Sequence, residues 1–219
     1  MLKENYQNLI SEISSGNNFG EEITLLGATK FVPVEIINQA IGLGLCHIGE
    51  NKAQEFRDKF PSYAPCVKHF IGTLQDNKLK YVVGKADIID SVSSISLAQK
   101  IDQKAKALSI TQKVMIEINA GEEESKTGLP ISQAKTLYKS IIECKNLELV
   151  GIMAMLPITE NKEILSSACK SVRKIYDEIR EETNTVKYLS IGMSGDYKVA
   201  IKNGSNMIRI GSSLFGARS

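Results

Sequence analysis

The sequence predicts an α/β fold, a single TIM (β/α)8 barrel with an extra N-terminal helix. Eight short apolar runs rich in β-branched residues alternate with amphipathic, helix-like stretches. The 219 residues divide into about 27 residues per unit, a regular spacing that favours eight βα units closing on themselves. The alternative, an open doubly wound sheet, should carry a glycine-rich GxGxxG turn after its first strand, whereas this chain has GATKFVP there.

Each element is placed by its own pattern. Leu2, Tyr6, Leu9, Ile10 and Ile13 lie near helical spacing and predict the leading helix over 2–15. The apolar runs predict strands at 23–29, 46–49, 67–72, 87–92, 113–119, 147–155, 186–192 and 207–211. The stretches between them predict helices at 33–43, 51–59, 75–83, 94–108, 131–143, 160–182 and 195–203, and a short apolar turn follows at 212–216. No linker rich in Pro, Gly or Ser interrupts this order, so residues 1–219 are expected to form one domain.

Composition and charge exclude several classes of protein. Lysine and arginine number 27 against 25 aspartates and glutamates, and no block of like charge resembles a nucleic-acid-binding arm. The longest uncharged stretch, Ile36 to Gly49, is shorter than the ~20 apolar residues of a membrane span, and the segment MLKENYQNLI lacks an apolar h-region, so no signal peptide is expected. The four scattered cysteines form no metal or CxxC motif, which predicts a cytoplasmic protein without a bound metal.

The carboxyl ends of the predicted strands nominate a site, because TIM-barrel active sites are built there. Lys30 ends the first strand, between the apolar segments LLGAT and FVP. Apolar surroundings favour the neutral form of an amine, and a neutral amine can attack an aldehyde to form a Schiff base. The alternative interpretation is a lysine that merely ends a strand at the rim of the barrel.

Arg209 is the second candidate. It is one of only five arginines and stands between Ile208 and Ile210 in the last predicted strand, on the opposite face from both. A buried guanidinium needs a partner. That partner is either a core carboxylate such as Glu117, in a structural ion pair, or a ligand in the mouth of the barrel.

The loops after the last two strands indicate a phosphate site. Barrel phosphate sites use these loops together with a short extra helix. Met193 and Ser194 follow the seventh strand, and Gly211 and Ser212 follow the eighth. Glycine lets backbone N–H groups approach an anion, and serine adds a hydroxyl donor. Ordinary helix capping by the two serines is the alternative.

Three further residues carry weaker signals. Asn51 follows the second strand and either lines the site or caps the next helix. His69, in the third strand, is either a site residue or a hydrogen-bonded core histidine. Lys126 is expected in a solvated loop after the fifth strand.

One cofactor accounts for the three stronger signals. Pyridoxal 5′-phosphate has an aldehyde for Lys30, a phosphate for the loops after the seventh and eighth strands, and a ring nitrogen for Arg209. A cation at the ring nitrogen disfavours its protonation, which makes the ring a weaker electron sink than one facing an aspartate.

Several segments of the chain resemble the pyridoxal phosphate homeostasis protein family. They are LLGATKFVP (25–33), HIGEN (47–51), HFIGTLQDNK (69–78), GIMAM (151–155), LSIGMSGD (189–196) and RIGSSLFGAR (209–218), in order along nearly the whole chain. The resemblance implies a barrel like the N-terminal domain of alanine racemase, with the cofactor bound covalently at Lys30. It also implies that Asn51 lines the pocket, that Ser194, Gly211 and Ser212 hold phosphate, and that Arg209 faces the pyridine nitrogen.

The resemblance further implies a role in vitamin B6 and amino-acid homeostasis, as a cofactor carrier or buffer without established turnover. The expected partners are pyridoxal phosphate and the apo-enzymes that depend on it, with no nucleic acid and no membrane, and the chain is expected to be a monomer or weak dimer. Two departures from the family pattern, Lys68 before His69 and Gly195 after Ser194, alter side-chain packing near the pocket without removing a proposed ligand.

Two enzymatic alternatives stay open at this point. A pyridoxal phosphate-dependent amino-acid racemase would need a second acid/base group, and Tyr197 is the only tyrosine near a predicted strand end. In alanine racemases that group comes from an extra β domain of a partner subunit, for which the barrel leaves no room within 219 residues. A cofactor-free Schiff-base aldolase would need a carboxylate or tyrosine near Lys30, and the sequence shows no clear one.

Overall fold

The computed structural model describes residues 1–121, 123 and 127–216. Eight parallel strands form a closed barrel in chain order, and the last strand pairs with the first through the register partners Leu26 and Arg209. The strands are β1 (Thr24–Ala28), β2 (His47–Glu50), β3 (Val67–Phe70), β4 (Ile88–Val92), β5 (Gln112–Asn119), β6 (Leu147–Met155), β7 (Tyr188–Ile191) and β8 (Met207–Ile210). The predicted barrel is therefore confirmed.

Helices lead into the barrel and follow each strand. They are α1 (Leu2–Ile13), α2 (Val34–Gly42), α3 (Ala53–Lys59), α4 (Leu79–Val82), α5 (Ile95–Ala107), α6 (Ala134–Glu143), α7 (Lys162–Glu182), α8 (Tyr197–Lys202) and α9 (Ser212–Phe215). The predicted N-terminal helix is α1, and its buried Leu9 and Ile13 pack in the same apolar cluster as Leu214 of α9.

The structure differs from the predicted elements in two short stretches. The helix expected over 75–83 is a 3-10 turn at Asp76–Lys78 followed by the single turn of α4. The next segment begins at Gly84, whose φ of +79° is in the left-handed region and ends the helix there. The turn expected at 212–216 is the one-turn helix α9.

Two layers of apolar side chains hold the barrel together. Outward-facing strand residues pack against the helices, and Ile89, Ile116 and Ile152 on three neighbouring strands are all fully buried there. Inside the barrel, a small cluster of Ile88, Met115, Val150 and Met153 fills the lower part. This packing leaves the carboxyl end of the barrel open for a site.

The structure also bears on membrane spans, metal sites and disulfides. In the described part of the chain, no helix is long and apolar enough to cross a membrane. Among the same residues, no group of three or more histidine, cysteine, aspartate or glutamate side chains is arranged to hold a metal ion. The four cysteines, all in the described part, are free thiols.

Candidate functional site

A cavity of about 560 Å³ opens at the carboxyl end of the barrel. Seven of the eight predicted site residues line it: Lys30, Asn51, Met193, Ser194, Arg209, Gly211 and Ser212. They come from the ends of four different strands and the loops that follow, as TIM-barrel sites do. The volume is in the usual range for a small-molecule site of roughly 300–1,000 Å³.

Lys30 enters the cavity from a tight turn after β1. The turn is closed by a hydrogen bond of 2.9 Å from the Val32 N–H to the Thr29 carbonyl, which makes Lys30 its second residue and Phe31 its third. Phe31 has a φ of +63°. Glycine or asparagine is favoured at that position of a turn, so a phenylalanine there costs about 1–3 kcal/mol. The Lys30 Nζ lies 5.1 Å from the centre of the exposed Phe31 ring.

Arg209 lies at the floor of the cavity and is 4% exposed. Its terminal nitrogens donate to the Ser190 carbonyl (2.7 Å) and hydroxyl (2.8 Å) and to the Ala154 carbonyl (3.0 Å). These neutral acceptors fix the guanidinium in place. Burial lowers the pKa of Arg209 below its ordinary range, since water no longer solvates the cation.

Glu117 of β5 also lines the cavity, but it is not the ion-pair partner that the sequence offered as an alternative. Among the described residues, Arg209 forms no ion pair with any carboxylate within 4.0 Å. The Glu117 carboxylate instead accepts a 2.6 Å hydrogen bond from the Thr127 hydroxyl. Burial raises the pKa of Glu117, while that hydrogen bond and the charge of Arg209 pull it down.

Two serines line the cavity beside the ends of β7 and β8. The Ser212 and Ser194 hydroxyls are 3.4 Å apart, so residues from the two predicted phosphate loops meet. The first of these loops is a compact turn, because the Met193 N–H donates to the Asp196 carboxylate at 2.6 Å and the Asp196 N–H returns a bond to the Met193 carbonyl. Two hydroxyl donors beside Gly195 and Gly211 suit an anionic group.

The loops that carry Asn51 and Gly72 approach each other closely. A Cβ at position 72 would lie only 1.8 Å from the Asn51 carbonyl oxygen, so any side chain there would push the two loops apart. The Asn51 N–H donates to the Glu50 carboxylate at 2.8 Å, which fixes this loop from the strand side. Glycine at 72 therefore allows Asn51 to reach the wall of the cavity.

His69 lies inside the barrel without lining the cavity. Its side chain is fully buried, and its Nδ1 is 2.8 Å from the Asp90 carboxylate. Its Nε2 is 3.0 Å from Nδ1 of His47, which is partly buried. Burial and the neighbouring His69 lower the pKa of His47 to about 4. The structure thus gives His69 the contacts of a hydrogen-bonded core histidine.

Tyr197 is directed away from the cavity. Its hydroxyl donates to the Glu12 carboxylate at 2.6 Å and so ties α8 to α1. None of the seven tyrosines, all within the described residues, lines the cavity. Lys126 lies outside the described residues.

Sequence reasoning missed several residues of the cavity wall: Ala28, Lys52, Ile71, Gly72, Thr73, Thr127 and Met155, as well as Glu117 in this role. For Glu117 a signal was present, because strand alternation puts it on the same face of β5 as Met115, which points into the barrel. Lys52 directly follows Asn51, and its Nζ lies 4.3 Å from the centre of the Phe31 ring. No pattern in the sequence predicts this contact between Lys52 and Phe31.

Comparisons with known proteins agree with this architecture. The model of the alanine racemase N-terminal domain family matches residues 33–219. A pyridoxal phosphate homeostasis protein of Aquifex aeolicus is 40% identical over 197 residues, which cover 89% of this chain and 86% of that protein.

Two solved structures have the same fold. A protein of unknown function from Bifidobacterium adolescentis is 30% identical with a TM-score of 0.91, and the match covers 97% of this chain and 94% of that one. PipY of Synechococcus elongatus, in a structure with PLP bound, is 24% identical with a TM-score of 0.85, over 99% of this chain and 100% of that one. The chain belongs to the alanine racemase N-terminal domain family and, within it, to the pyridoxal phosphate homeostasis proteins.

Proposed function

We propose that this protein holds pyridoxal 5′-phosphate as a Schiff base on Lys30 and acts as a carrier or buffer of the cofactor in vitamin B6 and amino-acid homeostasis. The single observation that carries the proposal is the meeting, in one cavity, of an amine, a buried guanidinium without a carboxylate partner among the described residues, and a pair of serine hydroxyls. These groups match the aldehyde, ring nitrogen and phosphate of the cofactor.

The chemical groups that line the cavity match the functional groups of the cofactor. Ser194, Gly211 and Ser212 would hold the phosphate, and Lys30 would take the aldehyde. Arg209, fixed by neutral acceptors in the floor, would place a positive charge at the ring nitrogen. When bound, the cofactor supplies an electrophilic carbon and an electron-withdrawing ring, and a cation at its nitrogen weakens that withdrawal.

The walls of the cavity favour a carrier over a racemase. Racemisation needs a second acid/base group opposite the lysine, and no tyrosine lines the cavity in the described part of the chain. Tyr197, the tyrosine that most closely follows the carboxyl end of a strand, donates its hydroxyl to Glu12 instead. The buried carboxyl of Glu117 is the ionisable group that a turnover assay would have to test.

An absorption spectrum of the purified protein tests the proposal. Addition of pyridoxal phosphate should produce the visible band of a Schiff base, borohydride should bleach it, and the reduced label should map to Lys30. A Lys30→Ala variant should show no band. A wild-type protein that stays colourless with added cofactor, or a label on another lysine, would contradict the proposal.

Racemisation and transamination assays on a panel of amino acids then separate carrier from enzyme. Turnover well above that of free pyridoxal phosphate, and lost in Glu117→Gln, would favour the racemase. As a carrier, the protein would pass the cofactor to apo-enzymes in the cytoplasm, a compartment that suits its four free thiols. Mixing the loaded protein with an apo-enzyme and following the loss of its band measures that transfer.

A further inference from the structure

A second lysine lies beneath the turn that carries Lys30. Lys59, at the end of α3, is separated from Lys30 along the chain by α2, β2 and the rest of α3. Its Nζ is 2.8 Å from the Val32 carbonyl and 3.4 Å from the Thr29 carbonyl, the two residues that bracket the turn. The side chain is only 15% exposed, so these bonds form largely out of water.

Two carboxylates hold this ammonium group in position. The Nζ of Lys59 forms an i,i+4 ion pair with Glu55 and lies 3.5 Å from the Glu50 carboxylate. Glu50 is fully buried, and burial raises its pKa, while Lys59 and the Asn51 N–H pull the pKa down. The other ionisable group that faces this cluster is Tyr63, whose pKa is raised by burial and by the charges of Glu50 and Glu55.

The same carboxylates bind the turn directly. Glu55 accepts a 2.9 Å bond from the N–H of Phe31, the residue with the unfavourable positive φ. Glu50 accepts from the Thr29 hydroxyl at 3.3 Å and, with its other oxygen, from the Asn51 N–H at 2.8 Å. Lys59, Glu50 and Glu55 thus bond to Thr29, Phe31 and Val32, three of the four residues of the turn, and this holds a backbone conformation that Phe31 would otherwise leave.

We propose that Lys59, together with Glu50 and Glu55, is a positioning residue that holds the β1–α2 turn so that the Lys30 amine reaches the cofactor aldehyde. The inference rests on the proposed function, since it assigns Lys59 to the formation of that Schiff base. It separates covalent capture, which depends on the turn, from binding of the phosphate, which depends on the serines that follow β7 and β8. A small displacement of a reacting group lowers a rate steeply, so the covalent step is the sensitive one.

The test uses Lys59→Met, which keeps most of the apolar length of the side chain and removes the ammonium group with its hydrogen bonds and ion pairs. At saturating pyridoxal phosphate, the rate at which the visible band appears should fall by about tenfold or more. Affinity for pyridoxine 5′-phosphate, which carries the phosphate but no aldehyde, should stay within about threefold of wild type. Lys59→Arg, which keeps charge and donors, should recover part of the rate. Lys198→Met is the matched control, since Lys198 pairs with Glu12 away from the turn.

Each outcome decides the proposal. An unchanged rate in Lys59→Met, or an equal loss of pyridoxine 5′-phosphate affinity, would overturn it and make Lys59 part of the general scaffold. If Lys59→Met does not fold, Glu55→Ala, which removes the acceptor for the Phe31 N–H, must show the same selective loss of rate. Wild-type protein is measured in parallel, and a wild type without a band would refute the proposed function instead.

Discussion

Two regions inside the barrel contain buried ionisable groups, and they differ in how those groups are partnered. In the cavity at the carboxyl end, Arg209 bonds to neutral acceptors, and among the described residues no carboxylate forms an ion pair with it within 4.0 Å, although Asp90, Asp196 and Glu117 act on its charge from farther away. In the layer below, which we call the lower polar layer (Asp90, His69 and His47), each group bonds to the next, at 2.8 Å and 3.0 Å. The positive charge of Arg209 is therefore available to a ligand, whereas the hydrogen-bonding groups of the lower polar layer bond to one another.

The difference separates residues that serve binding from residues that serve folding. A buried polar group that already has its partners contributes to stability, and its removal leaves the partner unsatisfied. A buried cation without a carboxylate costs stability, and that cost is recovered only when a ligand binds. We therefore expect variants of the lower polar layer to change unfolding, and variants of the cavity to change cofactor binding.

The largest expected effect is on stability, from His69→Ala. The substitution leaves the fully buried Asp90 carboxyl without its hydrogen-bond partner, which should cost about 3–5 kcal/mol of unfolding free energy. Urea unfolding of the cofactor-free protein measures it. Lys30→Ala, at the partly exposed turn of the cavity, is the control and should change the same quantity by less than about 0.5 kcal/mol. If His69→Ala lowered the unfolding free energy by less than about 1 kcal/mol, the lower polar layer would not be more important for folding than the cavity.

The next effect is a loss of stability in acid that depends on His47. The pKa of His47 is about 4 in the folded protein, against an ordinary 6.5, so between these values the unfolded state binds the proton and the folded state does not. The stabilisation that comes from the neutral His47 side chain is therefore fully present above pH 6.5. It is lost as the pH drops toward 4, by about 3 kcal/mol at most.

Unfolding at a series of pH values measures this effect against His47→Gln. Because Glu50 and Glu117 have raised pKa values and act in the opposite direction, the quantity to compare is the difference between wild type and variant. That difference should shrink as the pH falls. Parallel curves for the two proteins from pH 7 to pH 4 would show that His47 titrates normally in the folded state.

Much of the cavity could be predicted from the sequence because strand ends converge in a barrel. Lys30, Arg209 and the serines all stand at the ends of apolar runs, and parallel closure brings those ends together whatever the helices do. The side chains that bond to one another across elements could not be predicted in this way. His47 carries no local signal, since its importance comes from the β2–β3 register, which pairs it with Val67 and so brings its ring within 3.0 Å of His69, two residues further along β3.

The contacts of α3 with the β1–α2 turn illustrate the same limit. Glu55 and Lys59 lie four residues apart in a pattern typical of a solvated helix face. Whether such a face meets solvent or a neighbouring loop depends on the path of the chain over 29–32, which periodicity does not encode. Local pattern predicts which elements form, and three-dimensional closure decides which polar residues meet.

The smallest of these effects is expected from Arg209→Met. This substitution is also the sharpest test of the difference between the cavity and the lower polar layer. Affinity for pyridoxal phosphate should fall by about tenfold, or ~1.4 kcal/mol, with a changed visible band, because the charge at the ring nitrogen is lost. Stability of the cofactor-free protein should change by less than about 1 kcal/mol, because removal of a buried cation without an ion-pair partner within 4.0 Å offsets the loss of its hydrogen bonds to Ser190 and Ala154. Spectral titration and urea unfolding measure the two quantities.

Arg173→Met is the matched control for Arg209→Met. Arg173 is also buried, but it bonds to the carboxylates of Glu21 at 2.7 Å and Asp177 at 2.9 Å, far from the cavity. Its loss should lower the unfolding free energy by about 1.5–3 kcal/mol and leave cofactor affinity unchanged, because the partly buried Glu21 loses one charged partner and keeps Arg180 and Asn17. If Arg209→Met unfolds as easily as Arg173→Met and binds the cofactor as wild type does, Arg209 is a structural residue. The buried polar groups of the cavity and of the lower polar layer would then both serve folding, and the difference between the two regions would not hold.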